Sequence, residues 1–391
     1  MRTPAKLGAV FRVALFYGFA GFGGGYSVLA QLRRDLVERR RWLSSDEFLV
    51  LAELSKSLPG TPATALLALV GQRVGGVRGG SVAAAAFLLP SMVLMIACGA
   101  VYGVLRSAAG LSLFFDGMNA AMVGVVAAVT VELARSALRS KFDLGTAVLC
   151  GALLASRVVS EPVLAVGAAF VGGIRGLWSA APESEPASTS EPPKRDSLHA
   201  FVPLVAVPFA WTGGLALLAG LLRVFVPIGV MTFGGGLAMI PAIEHTVVVE
   251  QHWLDPKAFA DAIALGQITP GPVAICATFI GYRVAGLLGA VVATFAMFAP
   301  ATALALAAGR SVEHFRRSPV VGGALRLLAP VVIGMLGAAT FGLARAAVAV
   351  HVDVVLAVVV LALLLWKPTS PLWLLVGGGL VRLAAAWAAI P

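Results

Sequence analysis

Long apolar stretches separated by short polar ones run along nearly the whole chain. They lie near residues 7–30, 79–106, 113–138, 142–157 and 161–178, and again near 215–243, 286–311, 321–346, 352–366 and 370–389. Most approach the ~20 residues that a helix needs to cross a hydrocarbon core of ~30 Å. Segments 142–157 and 352–366 are short for a span. Two other stretches, 44–74 and 255–284, read differently. Ser44-Ser45-Asp46-Glu47 is a helix start, and the helix continues from Phe48 to Leu58. Pro59-Gly60-Thr61-Pro62 must break it, because proline lacks an N–H and its ring clashes one turn back. A second short helix then runs to about Val74. Pieces of about 15 residues are only ~22 Å long. A re-entrant pair meeting near mid-membrane is therefore expected, with 255–284 as its counterpart. Irregular backbone at that depth persists only where protein covers it or a wet cavity borders it.

The pairing of segments reflects an internal repeat. Phe22-Gly23-Gly24-Gly25 recurs as Phe233-Gly234-Gly235-Gly236, and at the same shift of 211 Trp42 meets Trp253 and Pro59-Gly60 meets Pro270-Gly271. One residue is then lost. At a shift of 210, Gly71 and Arg73 meet Gly281 and Arg283, Pro90 meets Pro300, Gly124 meets Gly334, Leu133-Ala134-Arg135 meets Leu343-Ala344-Arg345, and Asp143 meets Asp353. The repeat divides the chain into a first transmembrane unit at 1–178, a polar Pro/Ser/Glu-rich linker at 179–199, expected to be disordered and cytoplasmic, and a second unit at 200–391.

Composition agrees: 59% of the 391 residues are apolar and 12% charged, with 44 glycines and 22 prolines. An ordinary soluble domain carries roughly twice that share of charge. The excess of 29 Lys and Arg over 19 Asp and Glu reads as cytoplasmic loops, not as a nucleic-acid surface, because no basic patch is interleaved with aromatics. Cys98, Cys150 and Cys276 sit in apolar runs and read as small core residues, and His245 and His252 as loop residues. No metal or cofactor motif stands out. Met1–Lys6 leads into the first membrane helix, with no clear cleavage site.

The charges also differ between equivalent loops. Loop 31–43 holds five arginines against Asp35 and Glu38, net +3, whereas 244–257 holds Glu244, Glu250 and Asp255 against Lys257, net −2. Loop 310–318 is more basic than 106–112, where only Arg106 stands, and 135–143 is more basic than 345–353. The positive-inside rule then puts equivalent loops on opposite sides. The expected fold is an all-α polytopic membrane protein of two homologous inverted-topology repeats. Each has about five spans and one re-entrant helical hairpin, and both termini lie outside. Inverted repeats with broken helices at the midplane are a signature of secondary transporters.

Chemistry is expected at the breaks. Helices that begin after them point inward, and their free N–H groups carry about half a positive charge, which favours an anion without a full cation. Ser55, Ser57, Thr61, Thr64, Gln267, Thr269 and Thr278 add neutral donors. The candidate substrate site is Gly23, Gly24, Gly25, Lys56, Pro59, Gly60, Thr61, Gly234, Gly235, Gly236, Gln267, Thr269, Pro270, Gly271 and Pro272. Glycines there let backbone approach a ligand or a neighbouring helix. Gly99 and Gly103, by contrast, read as a helix-packing pair. Glu53, Arg73, Asp261 and Arg283 are candidates for coupling or steering, since ionisable residues at membrane depth are functional candidates. The alternative for Glu53 and Lys56 is an i,i+3 ion pair, and for Arg73 and Arg283 a reach to the surface.

Half two in particular resembles the chromate ion transporter family in its long, two-half form. The resemblance rests on Phe233-Gly234-Gly235-Gly236, Trp253, Gly266-Gln267-Ile268-Thr269-Pro270-Gly271-Pro272 and Gly281-Tyr282-Arg283-Val284-Ala285-Gly286. Half one departs from it, with Lys56-Ser57-Leu58-Pro59-Gly60-Thr61 at the break and Gly24-Gly25-Tyr26-Ser27 after the glycines. The resemblance implies a bacterial inner-membrane carrier that expels chromate, driven by the proton gradient, with a small inorganic oxyanion and the lipid bilayer as its partners. No cofactor is implied, and a homo-oligomer is left open. The alternatives are a carrier of another anion such as sulfate, an anion channel, or a membrane-embedded enzyme. No haem, flavin, iron–sulfur or nucleotide motif supports the last, and no Gly-x-x-x-x-Gly-Lys-Ser/Thr loop supports ATP drive.

Overall fold

The structure is a computed structural model, and it describes residues 7–20, 31–156, 159, 161–179, 212–231, 239–310, 319–367 and 369–388. All regular structure among these residues is helical. The first half contains α1 (Leu7–Ala20), a π-helical turn (Arg34–Arg39), α2 (Ser45–Ser57), α3 (Pro62–Ser107), α4 (Ala109–Ala137), α5 (Lys141–Ala155) and α6 (Glu161–Ser179). The second contains α7 (Thr212–Met231), α8 (Ile240–Glu244) leading into another π-helical turn (His245–Glu250), α9 (Pro256–Ile268), a 3-10 turn (Val273–Ile275), α10 (Cys276–Ala308), α11 (Pro319–Ala347), α12 (His351–Trp366) and α13 (Pro371–Ala388). Residues 180–199 of the expected linker and both triple-glycine segments lie outside the described residues, and Ser179 ends α6.

Among the described residues, four helices are long and apolar enough to cross a membrane: Pro62–Ser107, Gly110–Ala137, Val273–Ala308 and Arg326–Ala347. Four shorter apolar helices, of 10–17 residues, stand beside them: Leu7–Ala20, Gly214–Val230, His351–Trp366 and Pro371–Trp387. The protein is an all-α polytopic membrane protein.

Several local features recur at equivalent positions of the two halves. Arg41 and His252, 211 apart, both adopt left-handed backbone (φ 54° and 51°) after their π-helical turns, although the two loops carry opposite charge. α2 and α9 begin at equivalent positions with different caps. Ser44 and Glu47 bond reciprocally, side chain to backbone N–H, at 3.1 and 2.9 Å. Asp255 instead accepts from the N–H groups of Lys257 and Ala258, both at 2.9 Å, with Pro256 in the first helical turn.

Neither α3 nor α10 is a straight rod. Gly75 and Gly76 leave helical geometry, Gly76 at φ 65° and ψ −168°, and Ala285 and Gly286 do the same. A Cβ on Gly71 would come within 2.5 Å of the Gly79 carbonyl oxygen and 2.8 Å of Ala83 Cβ. Residues 62–74 therefore fold back along 77–107. The turn at 285–286 likewise lays 276–284 along 287–308, with Gly281 against Gly289 and Ala293.

The halves interlock through these long arms. Gly80 abuts Leu306 and Gly99 abuts Tyr282, so the start of α3's long arm meets the end of α10's and the two run antiparallel. Gln72 Nε2 donates to the Leu306 carbonyl at 2.8 Å, and Gly309 abuts Gln72. Gln72 and Tyr282 are equivalent, as are Gly99 and Gly309, each pair 210 apart. Farther along the chain the halves exchange partners. α4 packs on α12 and α13, with Gly110 against Leu383, Gly117 against Gly378, and Gly124 against Ala357. α11 packs on α5 and α6, with Gly334 against Ala147 and Gly172 against Gly323. Small residues on these faces let backbones approach closely, as bilayer packing favours.

Asp353, 1% exposed, ties the start of α12 to α13 through Arg382 at 2.9 Å and also accepts from the N–H groups of Ala349 and Val350. Removing one partner of a buried pair strands the other charge, at about 3–5 kcal/mol. Arg382→Met is accordingly expected to lower the thermal midpoint of the detergent-solubilised protein clearly, and further addition of Asp353→Asn to recover part of the loss. A midpoint unchanged by Arg382→Met would contradict this assignment.

Candidate functional site

Some helix starts carry a side-chain cap and others do not: α4, α8 and α12 begin at Ala108, Met239 and Val350 without one, and so do the starts at the two breaks. Ser44, Ser140 and Asp255 cap α2, α5 and α9. α3 starts at Thr61 with no side-chain cap and with Pro62 in its first turn, and the Thr61 hydroxyl donates to Thr64 Oγ1 at 2.7 Å. The 3-10 turn after the second break starts at Pro272, also without a side-chain cap, and Thr269 Oγ1 donates back to the Gly266 carbonyl at 3.0 Å. The first N–H groups of a helix have no intrahelical acceptor. At both breaks they are left without a side chain to receive them.

Each break rests on the other half. Gly60, at φ 98°, faces Ala301 on α10, where a Cβ would come within 2.7 Å of Ala301 Cβ. Gly271, at φ 112°, faces Ser91 on α3, and the Ser91 hydroxyl donates to the Pro270 carbonyl. Ser91 and Ala301 are equivalent residues, each directly after a helical proline, Pro90 or Pro300. Left-handed φ explains the glycines, since a Cβ there costs ~1–2 kcal/mol. The two breaks are thus seated by the same device, with one added hydrogen bond at the second.

The expected site residues separate by environment. Pro59, Thr61, Pro270 and Pro272 are buried; Gly60, Gln267, Thr269 and Gly271 are half-buried; Glu53 and Lys56 are exposed. Arg73 and Arg283 have local partners. Arg73 pairs with Glu47 at 2.9 Å, and the Arg283 guanidinium lies 5.3 Å from the Tyr102 ring centre. Thr278 Oγ1 and Thr294 Oγ1 are 2.7 Å apart inside the second hairpin, where the first half has buried Ala68 and Ala84.

Asp261, on α9, is wholly buried. Tyr102 OH donates to its Oδ2 at 2.5 Å, Asn119 Nδ2 donates to its Oδ1 at 2.6 Å, and Arg106 Nε lies 3.4 Å from Oδ2. Arg106 also pairs with Asp116 at 2.8 Å and donates to the Ser112 carbonyl at 2.9 Å. Among the described residues, the side-chain partners of Asp261 therefore come from half one. Sequence reasoning took Arg106 only as a loop charge and did not single out Ser91, Tyr102 or Asn119. The available signal was three polar side chains inside apolar helices, with Ala301, Val312 and Ala329 at their repeat equivalents.

Interlocked, kinked helices with two broken segments define an all-α polytopic membrane protein. Matches to known proteins identify the family. A model of the chromate transporter family matches residues 8–174 and again 219–383, and the chain belongs to that family. The "Chromate transport protein" of Cupriavidus metallidurans is 30% identical over 375 residues, covering 94% of this chain and 90% of that one. The "Probable chromate transport protein" of Synechococcus elongatus is 31% identical over 84% of this chain and 82% of its own. A "Chromate transport protein" of Pseudomonas aeruginosa is 28% identical over 88% and 82%. No solved structure matches the chain.

Proposed function

We propose that the chain is a secondary carrier that exports chromate across a bacterial inner membrane by alternating access, coupled to protons. The carrying observation is the pair of uncapped helix starts, each seated on the opposite half at Ser91 or Ala301. A tetrahedral oxyanion needs many N–H and O–H donors around it, with its charge balanced but not locked in a tight ion pair. Gln267 stands beside the second break with an amide that can add such donors, and Thr61 and Thr269 would do so by releasing Thr64 and the Gly266 carbonyl. The two halves are read as lying in opposite senses across the bilayer, which agrees with the antiparallel long arms and with the opposed charges of loops 31–43 and 244–257. Family membership supports chromate as the substrate.

A carrier of another oxyanion such as sulfate is the second reading. It rests on Lys56, which puts a cation where the other half has Gln267 and so makes the two breaks chemically unequal. Purified protein in proteoliposomes under an imposed pH gradient tests both. Labelled chromate is expected to accumulate, and excess sulfate to compete weakly. Sulfate accumulation without chromate accumulation would favour the second reading, and no flux of either anion would contradict both.

A further inference from the structure

We propose that Asp261 binds the coupling proton of the transport cycle and that its charged form clamps the second hairpin to half one. This inference rests on the reading of the chain as a proton-coupled carrier.

The first support is charge. Asp261 and Asp116 share the single guanidinium of Arg106, at 3.4 and 2.8 Å. Two carboxylates against one cation leave room for one proton, and Asp261 is the fully buried member. The other charged groups on the helices packed around α9 are engaged elsewhere or turned outward. Arg283 is exposed against the Tyr102 ring, Arg382 pairs with Asp353, Glu244 lies against Gly342, Arg345 lies over Phe341, and Arg326 is exposed.

The second support is that both protonation states can be satisfied in place. The charged carboxylate accepts from Tyr102 and Asn119 and forms an ion pair with Arg106 at 3.4 Å. The neutral acid needs one acceptor, and Asn119 Oδ1 is buried without a hydrogen-bond partner. A half-turn of the Asn119 amide offers that oxygen to the new O–H. Arg106 keeps Asp116 and the Ser112 carbonyl, so neutralising Asp261 strands no cation. The position equivalent to Asp261 in half one is Val50, so the repeat supplies one such site per chain and places it on one side of the interface. Protonation removes the charge that the two half-one donors and the Arg106 guanidinium hold. That frees the hairpin arm to part from α3 and α4.

The test uses the full chain in proteoliposomes with labelled chromate and two assays: accumulation driven by a pH step, and chromate–chromate exchange at equal pH. With the membrane potential clamped at zero, a step of one unit supports up to about tenfold accumulation per coupled proton. Asp261→Asn, which copies the neutral acid, is expected to bring the accumulation ratio down to about one while keeping exchange near the parent rate. Tyr102→Phe leaves the carboxyl in place and is expected to move the pH profile of exchange. Undiminished accumulation in Asp261→Asn, or loss of exchange together with accumulation in the inserted variant, overturns the proposal. If Asp261→Asn does not insert, an unmoved profile in Tyr102→Phe overturns it. Parent protein that exchanges chromate but ignores the pH step also overturns it and leaves anion carriage standing, whereas parent protein without exchange overturns the carrier reading itself.

Discussion

Gly271→Ala is expected to reduce chromate transport by at least about tenfold without preventing membrane insertion, because the break is the proposed substrate site and a misplacement of ~1 Å at a reacting constellation can cost about a hundredfold. Two effects combine at this position. The backbone sits at φ 112°, where a Cβ is strained by ~1–2 kcal/mol. The new methyl also meets Ser91 Oγ, which cannot swing aside without releasing the Pro270 carbonyl. The break must therefore move. Adding Ser91→Ala removes the obstructing hydroxyl, while the Ser91 Cβ at 3.4 Å from the new methyl stays in ordinary contact. The double variant is expected to recover part of the transport lost by Gly271→Ala, measured as chromate accumulation in everted membrane vesicles against protein abundance. Transport at the parent rate in Gly271→Ala would separate the break from the substrate path.

The second large effect is expected on folding. Gly281→Val places branched carbons where Ala293 Cβ is 2.6 Å and the Gly289 carbonyl carbon 2.7 Å from the first added atom. Backbone cannot rotate out of the way as a side chain can, so the pair of arms must open. Overpacking a tight contact costs ~1–3 kcal/mol and occasionally more, and this contact closes the turn at 285–286. Gly281→Val is expected to lower both the amount of protein in the membrane and its thermal midpoint in detergent. Gly103→Val is the control, since nothing lies within 4 Å of a Cβ there. Of the packing pair expected at Gly99 and Gly103, only Gly99 has a close neighbour, Tyr282. Equal losses in the two valine variants would mean that the tight turn does not limit folding.

The parts of the fold legible in the sequence are those set by local chemistry. Proline at 59 and 270 removes a helical donor wherever the chain goes, and Ser44 can cap only a helix that starts beside it. The repeat made each such signal visible twice. What the sequence did not disclose depends on long-range contact. Nothing near Gly117 says that its neighbour is Gly378, or near Gly334 that it is Ala147, so the exchange of helices between halves was not legible. The end of the short helix near Val74 and the new span from 79 were legible, and Gly75–Gly76 make the turn between them; that 62–74 folds back onto the long arm, with Gly71 against Gly79 and Ala83, was not. The candidate site divides in the same way. Gly60, Gly271 and Asp261 were visible as breakers or as a charge at depth. Ser91, Tyr102 and Asn119 were not, since each acts on a partner more than a hundred residues away and has no polar counterpart in the other half.

The most direct measurement of the central claim is sided labelling. In a chain whose native Cys98, Cys150 and Cys276 have been replaced, single cysteines at Arg39 and at Glu250 would be challenged with a membrane-impermeant thiol reagent in sealed vesicles of known orientation. These positions occupy equivalent π-helical turns, 211 residues apart. Reaction of Arg39→Cys from the cytoplasmic face and Glu250→Cys from the opposite face is the result predicted. Reaction of both from one face would mean that the halves insert in the same sense, and would contradict the account.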